Sequence, residues 1–332
     1  LEKVIKDGNH FTRDGISSAG AVLNSSNAVQ QAMWFAQQNS LLKRMGELRF
    51  NAPHSSSAHP ELVEGLIENV WIRSYGQQLN VGGKVSGHSY EQMVYGVDLG
   101  TDHRWTLDDH NVIYTGVYAG YGRSDIDYRV ANTDGELNSY YGGLYATWLH
   151  DSGLYIDLTF KAASVDNELK APYGANQLTA DYNDLNLGGS IEIGRKFTFK
   201  DDWFIEPQAQ VNYLHILAED YHAAGMSIEA QDLDAIQFRV GSLFGRTIKL
   251  SNGGAIQPYL KVSGVEMVSS GGAIRNGYQS IRSNIDGARA ELGGGIIWQM
   301  DDQNQLHFDY EASFGDKYDK PWGLTAGFRH QF

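Results

Sequence analysis

From about Ile67 to the end of the chain, runs of alternating apolar and polar residues recur roughly every 20 to 25 residues, with turn residues between them. This repetition restricts the fold more than any other feature. Successive side chains on a strand point to opposite faces of a sheet, so each run reads as one strand with two unlike faces. Twelve such runs are expected, over 69–80, 90–104, 110–122, 137–149, 153–164, 184–195, 203–216, 235–248, 255–267, 287–299, 304–314 and 322–332. Three of them show their faces plainly. Leu154, Ile156, Leu158 and Phe160 alternate with Asp157, Thr159 and Lys161. Leu306, Phe308, Tyr310, Ala312 and Phe314 alternate with His307, Asp309, Glu311 and Ser313. Arg289 and Glu291 oppose Leu292, Ile296 and Trp298, and Glu192 falls on the charged face of its own run.

A sheet that is apolar on one face and charged on the other suits either a soluble sandwich or a barrel with lipid outside and water inside. Connection lengths separate the two. Every second connection is brief, as at Asp108-Asp109, Asp151-Ser152-Gly153, Ser251-Asn252-Gly253 and Asp301-Asp302. The stretches 123–136, 165–183, 217–234 and 268–286 are long, polar and rich in Gly, Asn, Asp or Ser, and read as loops. Strict alternation of short turns and long loops belongs to bacterial membrane barrels, and a sandwich has no reason to keep it. Trp71, Trp105, Trp148, Trp203 and Trp298 all fall near strand ends on the short-turn side, as an aromatic girdle requires. The fold class is therefore an all-β transmembrane barrel of 12 antiparallel strands. Mean hydropathy of −0.39 is no objection, because alternating strands average to the value of a soluble chain. No run of 18 apolar residues exists, so a membrane-spanning helix is not expected.

The first fifty residues follow other rules. Residues 15–42 carry no charge, yet include Asn24, Asn27, Gln30, Gln31, Gln37, Gln38 and Asn39 among small and apolar side chains. The composition favours helix, and 16–49 as a helix would span roughly 50 Å at 1.5 Å per residue. The amides are too polar for lipid, and the apolar stripe of Val22, Val29, Met33 and Ala36 is too weak for an ordinary core. A slim neutral helix can instead thread a lumen lined by Asp157, Lys161, Glu192, Arg289, Glu291, Asp309 and Glu311, with Lys43 and Arg44 resuming charge at its end. The expected division is 1–15 as an upstream stub, 16–66 as the pore helix and its connection, and 67–332 as the barrel.

Net charge of −14 argues against nucleic acid as a partner, and the chain has no cysteine. Metal-ligand spacing and hydrolase motifs are absent, so no metal or other cofactor is expected. Asp108-Asp109-His110 reads as a turn rather than an acid–base cluster. No signal peptide opens the sequence, which for an exported protein implies a mature or trimmed portion.

The stretch Asn39-Ser40-Leu41-Leu42-Lys43-Arg44-Met45-Gly46-Glu47-Leu48-Arg49 resembles the junction that precedes the barrel in autotransporters of the pertactin and AIDA type. Trp71-Ile72-Arg73, Gly96-Val97-Asp98-Leu99-Gly100, Glu206-Pro207-Gln208-Ala209 and Gln257-Pro258-Tyr259 resemble that family's later landmarks in the same order. The resemblance implies a monomeric translocation unit in the bacterial outer membrane that delivers or anchors an N-terminal passenger at the cell surface. Its implied partners are outer-membrane lipid, the passenger, the barrel-assembly machinery and periplasmic chaperones. Leu324, Ala326, Phe328 and the terminal Phe332 resemble the assembly signal of this class, with His330 where Tyr is more usual. In a self-cleaving subset, two Asn occupy the positions of Asn39 and Ser40 and the first cyclises to release the passenger. Ser40 replaces the second here, so no cut is expected and the chain is not read as an enzyme. A barrel enzyme of the protease or lipase type, or a barrel with an adhesin role of its own, is the alternative.

Overall fold

Long alternating strands satisfy their backbone polar groups in lipid only if the sheet closes on itself, leaving no edge. The computed structural model describes residues 2–7, 10–50, 69–130, 132–173, 175–251, 253–276 and 279–332. Among them, twelve long antiparallel strands form a closed barrel. These are β1 (Asn69–Val81), β2 (Tyr90–Thr106), β3 (Asn111–Tyr128), β4 (Asp134–His150), β5 (Leu154–Tyr173) and β6 (Asn176–Arg195). They continue as β7 (Trp203–Leu217), β8 (Leu233–Arg246), β9 (Ala255–Gly271), β10 (Gly287–Gln299), β11 (Asn304–Gly315) and β12 (Tyr318–Gln331). β12 closes on β1, with Arg329 opposite Trp71 and Thr325 opposite Tyr75. A helix, α1 (Ser18–Phe50), runs inside the closed sheet, and a separate two-stranded hairpin, Glu2–Asp7 with His10–Ile16, precedes it. The expected connection 51–66 and the first two residues of the expected barrel domain, 67–68, lie outside the described residues.

The short turns fall where the sequence places them, although Asn252 lies outside the described residues. The long connections do not all behave as loops. Residues 165–173 and 176–183, expected in a loop, are paired strand that extends the β5–β6 hairpin, and 123–128 and 134–136 extend β3 and β4 likewise. The cause is an inversion of the alternation. Along β5, Leu158 and Phe160 face out and Asp157 and Lys161 face in, but farther along Val165, Leu169 and Ala171 are buried while Asp166, Glu168 and Lys170 face out. Past the lipid, a wall needs a polar outer face, so the pattern persists with its polarity reversed. The connection between β7 and β8 holds a small hairpin, Tyr221–Ala223 with Met226–Ala230, and that between β9 and β10 holds Ala273–Asn276 paired with Gln279–Arg282.

The girdle needs one correction. Trp105, Trp203 and Trp298 are exposed on the outer face and Trp148 is half-buried there, whereas Trp71 is buried in the lumen and donates to the Tyr145 hydroxyl at 2.8 Å. Odd positions on β1 point inward, so Trp71 shares a face with Arg73 and Tyr75. Ala312 is also covered rather than lipid-facing, beside an irregularity where the β11–β12 register shifts between Glu311 and Ser313.

Candidate functional site: the helix in the lumen

From Ala19 to Gln38 every residue of α1 is buried, although the segment carries six amides and little apolar asymmetry. The barrel supplies the partners. Gln30 donates to Asp184 at 2.5 Å and accepts from Asn186 at 3.3 Å, while Gln38 donates to Thr159 at 2.6 Å and Ser190 at 3.1 Å. Asn27 donates to the Gly272 carbonyl at 2.8 Å, and Ser40 donates to Asp98 at 2.7 Å while Arg73 donates to the Ser40 carbonyl. Lys161 spans two groups of the helix, donating to the Trp34 carbonyl at 3.1 Å and to Gln37 at 3.0 Å, with its ammonium 3.7 Å from the Trp34 ring centroid. The Asn24 carbonyl accepts from Ser283. Gln31 is enclosed without a hydrogen-bond partner among the described residues, and so is the Asn39 side-chain oxygen. Arg44 falls within the helix.

α1 is off-centre. It lies nearest β1–β6, and nearest of all to β5. The inner wall there is built from aromatic rings laid across glycines. Tyr145 on β4, Gly116 on β3 and Asp102 on β2 stand in register, and the Tyr145 hydroxyl crosses the glycine to donate to Asp102 at 2.6 Å. The same arrangement recurs one step along with Tyr141, Gly120 and Asp98, where the hydroxyl donates to the carboxylate at 2.5 Å or less. A Cβ on Gly116 would sit 2.2 Å from the Tyr145 ring, so only glycine lets the ring lie flat across that strand. Sequence reading notes Asp98 within Gly96–Gly100 without giving it a role; its lumen-facing parity was the available signal. Thr159, Ser190, Asp184 and Asn186 carried no comparable signal, because small polar residues on a lumen face are commonplace.

The opposite wall, β8–β12, is ionic. Glu291 takes Arg239 at 3.1 Å and Arg289 at 3.2 Å, and Glu311 takes Lys261 at 2.8 Å together with Lys320. Asp309 accepts from Tyr259 at 2.8 Å and pairs with Lys43, which reaches across from the helix and also donates to Thr325 at 3.1 Å. Asp157 and Glu192 are buried on the lumen faces of β5 and β6, and Tyr155 donates to Glu192 at 3.2 Å. Each of the seven charged residues expected to line the lumen lies on the inner face, four of them in this cluster. Space remains here, including a cavity of about 60 Å³ that opens to solvent beside Asn39, Lys43 and Gly46.

On the outer face, Leu324, Ala326 and Phe328 point away from the lumen along β12, and Phe332 follows the strand with its ring largely exposed. The Asp108-Asp109-His110 stretch forms a turn: Asp108 accepts from the His110 backbone and from the Asn111 side chain, both at 2.8 Å. His110 pairs with Asp151 of the next short turn, which raises the histidine pKa and lowers that of the carboxyl.

The family model for the autotransporter beta-domain matches residues 70–311. The chain belongs to the autotransporter β-domain family. It is 31% identical over 330 residues to the pertactin autotransporter of Bordetella bronchiseptica, an alignment covering 96% of this chain and 34% of that one. The chain therefore spans about a third of the length of the curated relatives it matches. Its fold superposes on the crystal structure of the Bordetella BrkA β domain with a TM-score of 0.69 at 28% identity, covering 80% of this chain and 100% of that one. The translocator domain of NalP from Neisseria meningitidis shares the fold, with a TM-score of 0.63 at 14% identity over 94% of this chain and 99% of that one. As a member of this family, the chain is an outer-membrane translocator barrel.

Proposed function

We propose that α1 is the pore-resident end of the passenger connection and that its amides hold it there by exchangeable hydrogen bonds rather than by charge. On this reading 1–15 belongs to the passenger side, 16–66 is the linker that threads and leaves the pore, and 67–332 is the barrel. The observation that carries it is the unbroken burial of Ala19–Gln38 among lumen donors and acceptors. A helix about 10 Å across with its side chains fits a barrel wider than the eight-stranded kind and narrower than an open porin. Asn24, Asn27, Gln30, Gln31, Gln37, Gln38 and Asn39 serve as neutral contacts, and Lys43 and Arg44 mark the exit. Removing residues 1–49 should leave a folded barrel that conducts ions in planar bilayers far better than the full chain. Similar conductance from both would refute the role given to the helix.

The terminal strand is the feature that supports recognition by the barrel-assembly machinery and its chaperones: Leu324, Ala326, Phe328 and Phe332 share its outer face. The apolar outer wall is suited to lipid and to a monomeric state. Asn39 is a pore contact and not a cleavage site. It lies inside a continuous helix, whose ladder cyclisation would have to break, and the neighbouring Ser40 is held through both its hydroxyl and its carbonyl. Mass spectrometry of the purified protein should find no fragment beginning at Ser40.

A further inference from the structure

The helix has one dry face and one wet one. Trp34, Gln37, Gln38 and Leu41 turn toward the packed wall. At 100° per residue, Ala32, Ala36, Asn39, Lys43 and Gly46 lie along the opposite stripe. Three cavities follow that stripe in order. The largest of the three lies beside Asn39, Lys43 and Gly46; a second, of about 20 Å³, lies beside Ala36, Asn39 and Lys43; a third, also of about 20 Å³, lies beside Ala32, Ala36 and Asn39. Asn39 borders all three, so they lie in a row along one seam of the helix. Its far wall is mainly the ionic face of β8–β12, bordered by Glu192 and Glu206 on one side and by Tyr75 and Gln77 on the other. A seam lined by hydrogen-bonding and charged groups holds water, whereas a void of this size among apolar side chains would stay dry.

We propose that this seam is a water-filled ion path running beside the helix, so that α1 narrows the barrel without sealing it, and that the Lys43–Asp309 pair sets which ions pass. Lys43 is the helix's own charge on the seam, and it meets Asp309 across the widest part. Arg239–Glu291 and Lys261–Glu311 balance the rest of that stretch, so neither sign of charge predominates. Ion selectivity in pores follows the charge of the side chains that line them. An intact pair therefore gives weak discrimination, and removing either member tips it. Toward the first turns of the helix the path narrows, where Asn27 meets the Gly272 carbonyl and Ser283 meets the Asn24 carbonyl. This path would be a second conduction route, distinct from the open pore left when the helix is removed.

The full chain in a planar bilayer with a KCl gradient tests this. The expected wild-type result is a small, steady current with a reversal potential near zero. Lys43→Gln leaves Asp309 in excess and should move the reversal potential toward the potassium equilibrium potential, while Asp309→Asn should move it toward that of chloride. Ala36→Trp, which fills the seam, should abolish the current. A wild-type chain that passes no current, or shifts of the same sign in the two charge variants, overturns the proposal. Heat-dependent gel mobility identifies variants that have folded. Because the chain has no cysteine, thiol labelling gives a second test that spares the ion pair. A water-soluble reagent should modify Ala36→Cys rapidly and leave Leu41→Cys, on the dry face, protected; equal protection of both overturns the proposal.

Discussion

The two walls of the lumen hold the same helix by different physics. On β2–β4, rings lie across glycines and hydroxyls reach carboxylates two strands away, and none of the three cavities borders these strands. On β8–β12, two glutamates each serve two cations, and space remains beside them. The dry wall depends on shape, so a small change of volume matters there. The wet wall depends on charge balance, and solvent can absorb a change of shape. Lumen-facing is thus not one environment, and identical substitutions on the two sides should differ in effect.

The largest difference should come from adding a long cation to each wall. Thr159→Arg collides with Gln38 and buries an unpaired guanidinium against the helix, for which a loss of about 3 to 5 kcal/mol is expected. Leu243→Arg, on β8 opposite Glu206 and beside the solvent-open cavity, finds a carboxylate partner and should be tolerated better. Denaturation midpoints in detergent compare the two, and equal losses would erase the distinction between the walls. Glycine substitutions come next. Gly116→Ala must push the Tyr145 ring aside at a cost of about 1 to 3 kcal/mol, whereas a Cβ at Gly323 meets nothing nearer than 3.4 Å and should cost little. Heat-modifiability of each variant on a gel would show it.

Removing hydroxyls sharpens the comparison further. Tyr145→Phe removes the hydroxyl that accepts from the Trp71 indole and donates to Asp102 within the packed wall, for about 1 to 3 kcal/mol. Tyr259→Phe removes a bond to Asp309 at the edge of the cavity, where water can replace it, and should cost less. Calorimetry of the two single variants decides the order. The smallest effect lies outside the lumen, at the turns. His110 holds its proton to higher pH because it is bonded to Asp151, and Asp151 holds its charge to lower pH for the same reason. Their contribution is complete between about pH 4 and about pH 6.5, fading as pH rises through the raised histidine value or falls through the lowered carboxyl value. Both groups are solvent-exposed, so the effect is slight. An NMR titration of His110 should show the upward shift in the wild type and lose it in Asp151→Asn.

The barrel was legible because lipid imposes a two-sided rule on every membrane-crossing residue of a strand. Where that rule changes, reading failed. The hairpin tip at 165–183 passes beyond the lipid, its alternation reverses, and polar outward residues such as Glu168 and Lys170 look like loop. Trp71 was placed in the girdle by its position near a strand end, although its parity with Arg73 put it inside. The lumen charges could be assigned from alternation alone, but the asymmetry of the helix could not. Nothing in α1 distinguishes Gln38, which meets Thr159, from Gln31, which meets no partner. That difference arises from the register of β5 and β6 and appears only once those strands are paired.

The spacing of the amides along α1 also makes the helix a ruler. Gln31 and Gln38, and Gln30 and Gln37, stand seven residues apart, two helical turns or about 10 Å. A slide of that length would deliver Gln31 to Thr159 and Ser190, and Gln30 to Lys161, so those two stations would meet amides again. Elsewhere the slide would place Asn27 over Lys161 in place of Trp34, Met33 beside Asp98 in place of Ser40 and Ala36 beside Asp309 in place of Lys43, and this favours the observed seat. Deleting 32–38 keeps amides at both stations, while deleting 34–38 brings Met33 and Ala32 there. If the shorter deletion were no less stable to heat than the longer, the stations would not be interchangeable. If it is less stable, amides seven residues apart can hold the same two stations, whichever turn of the helix supplies them.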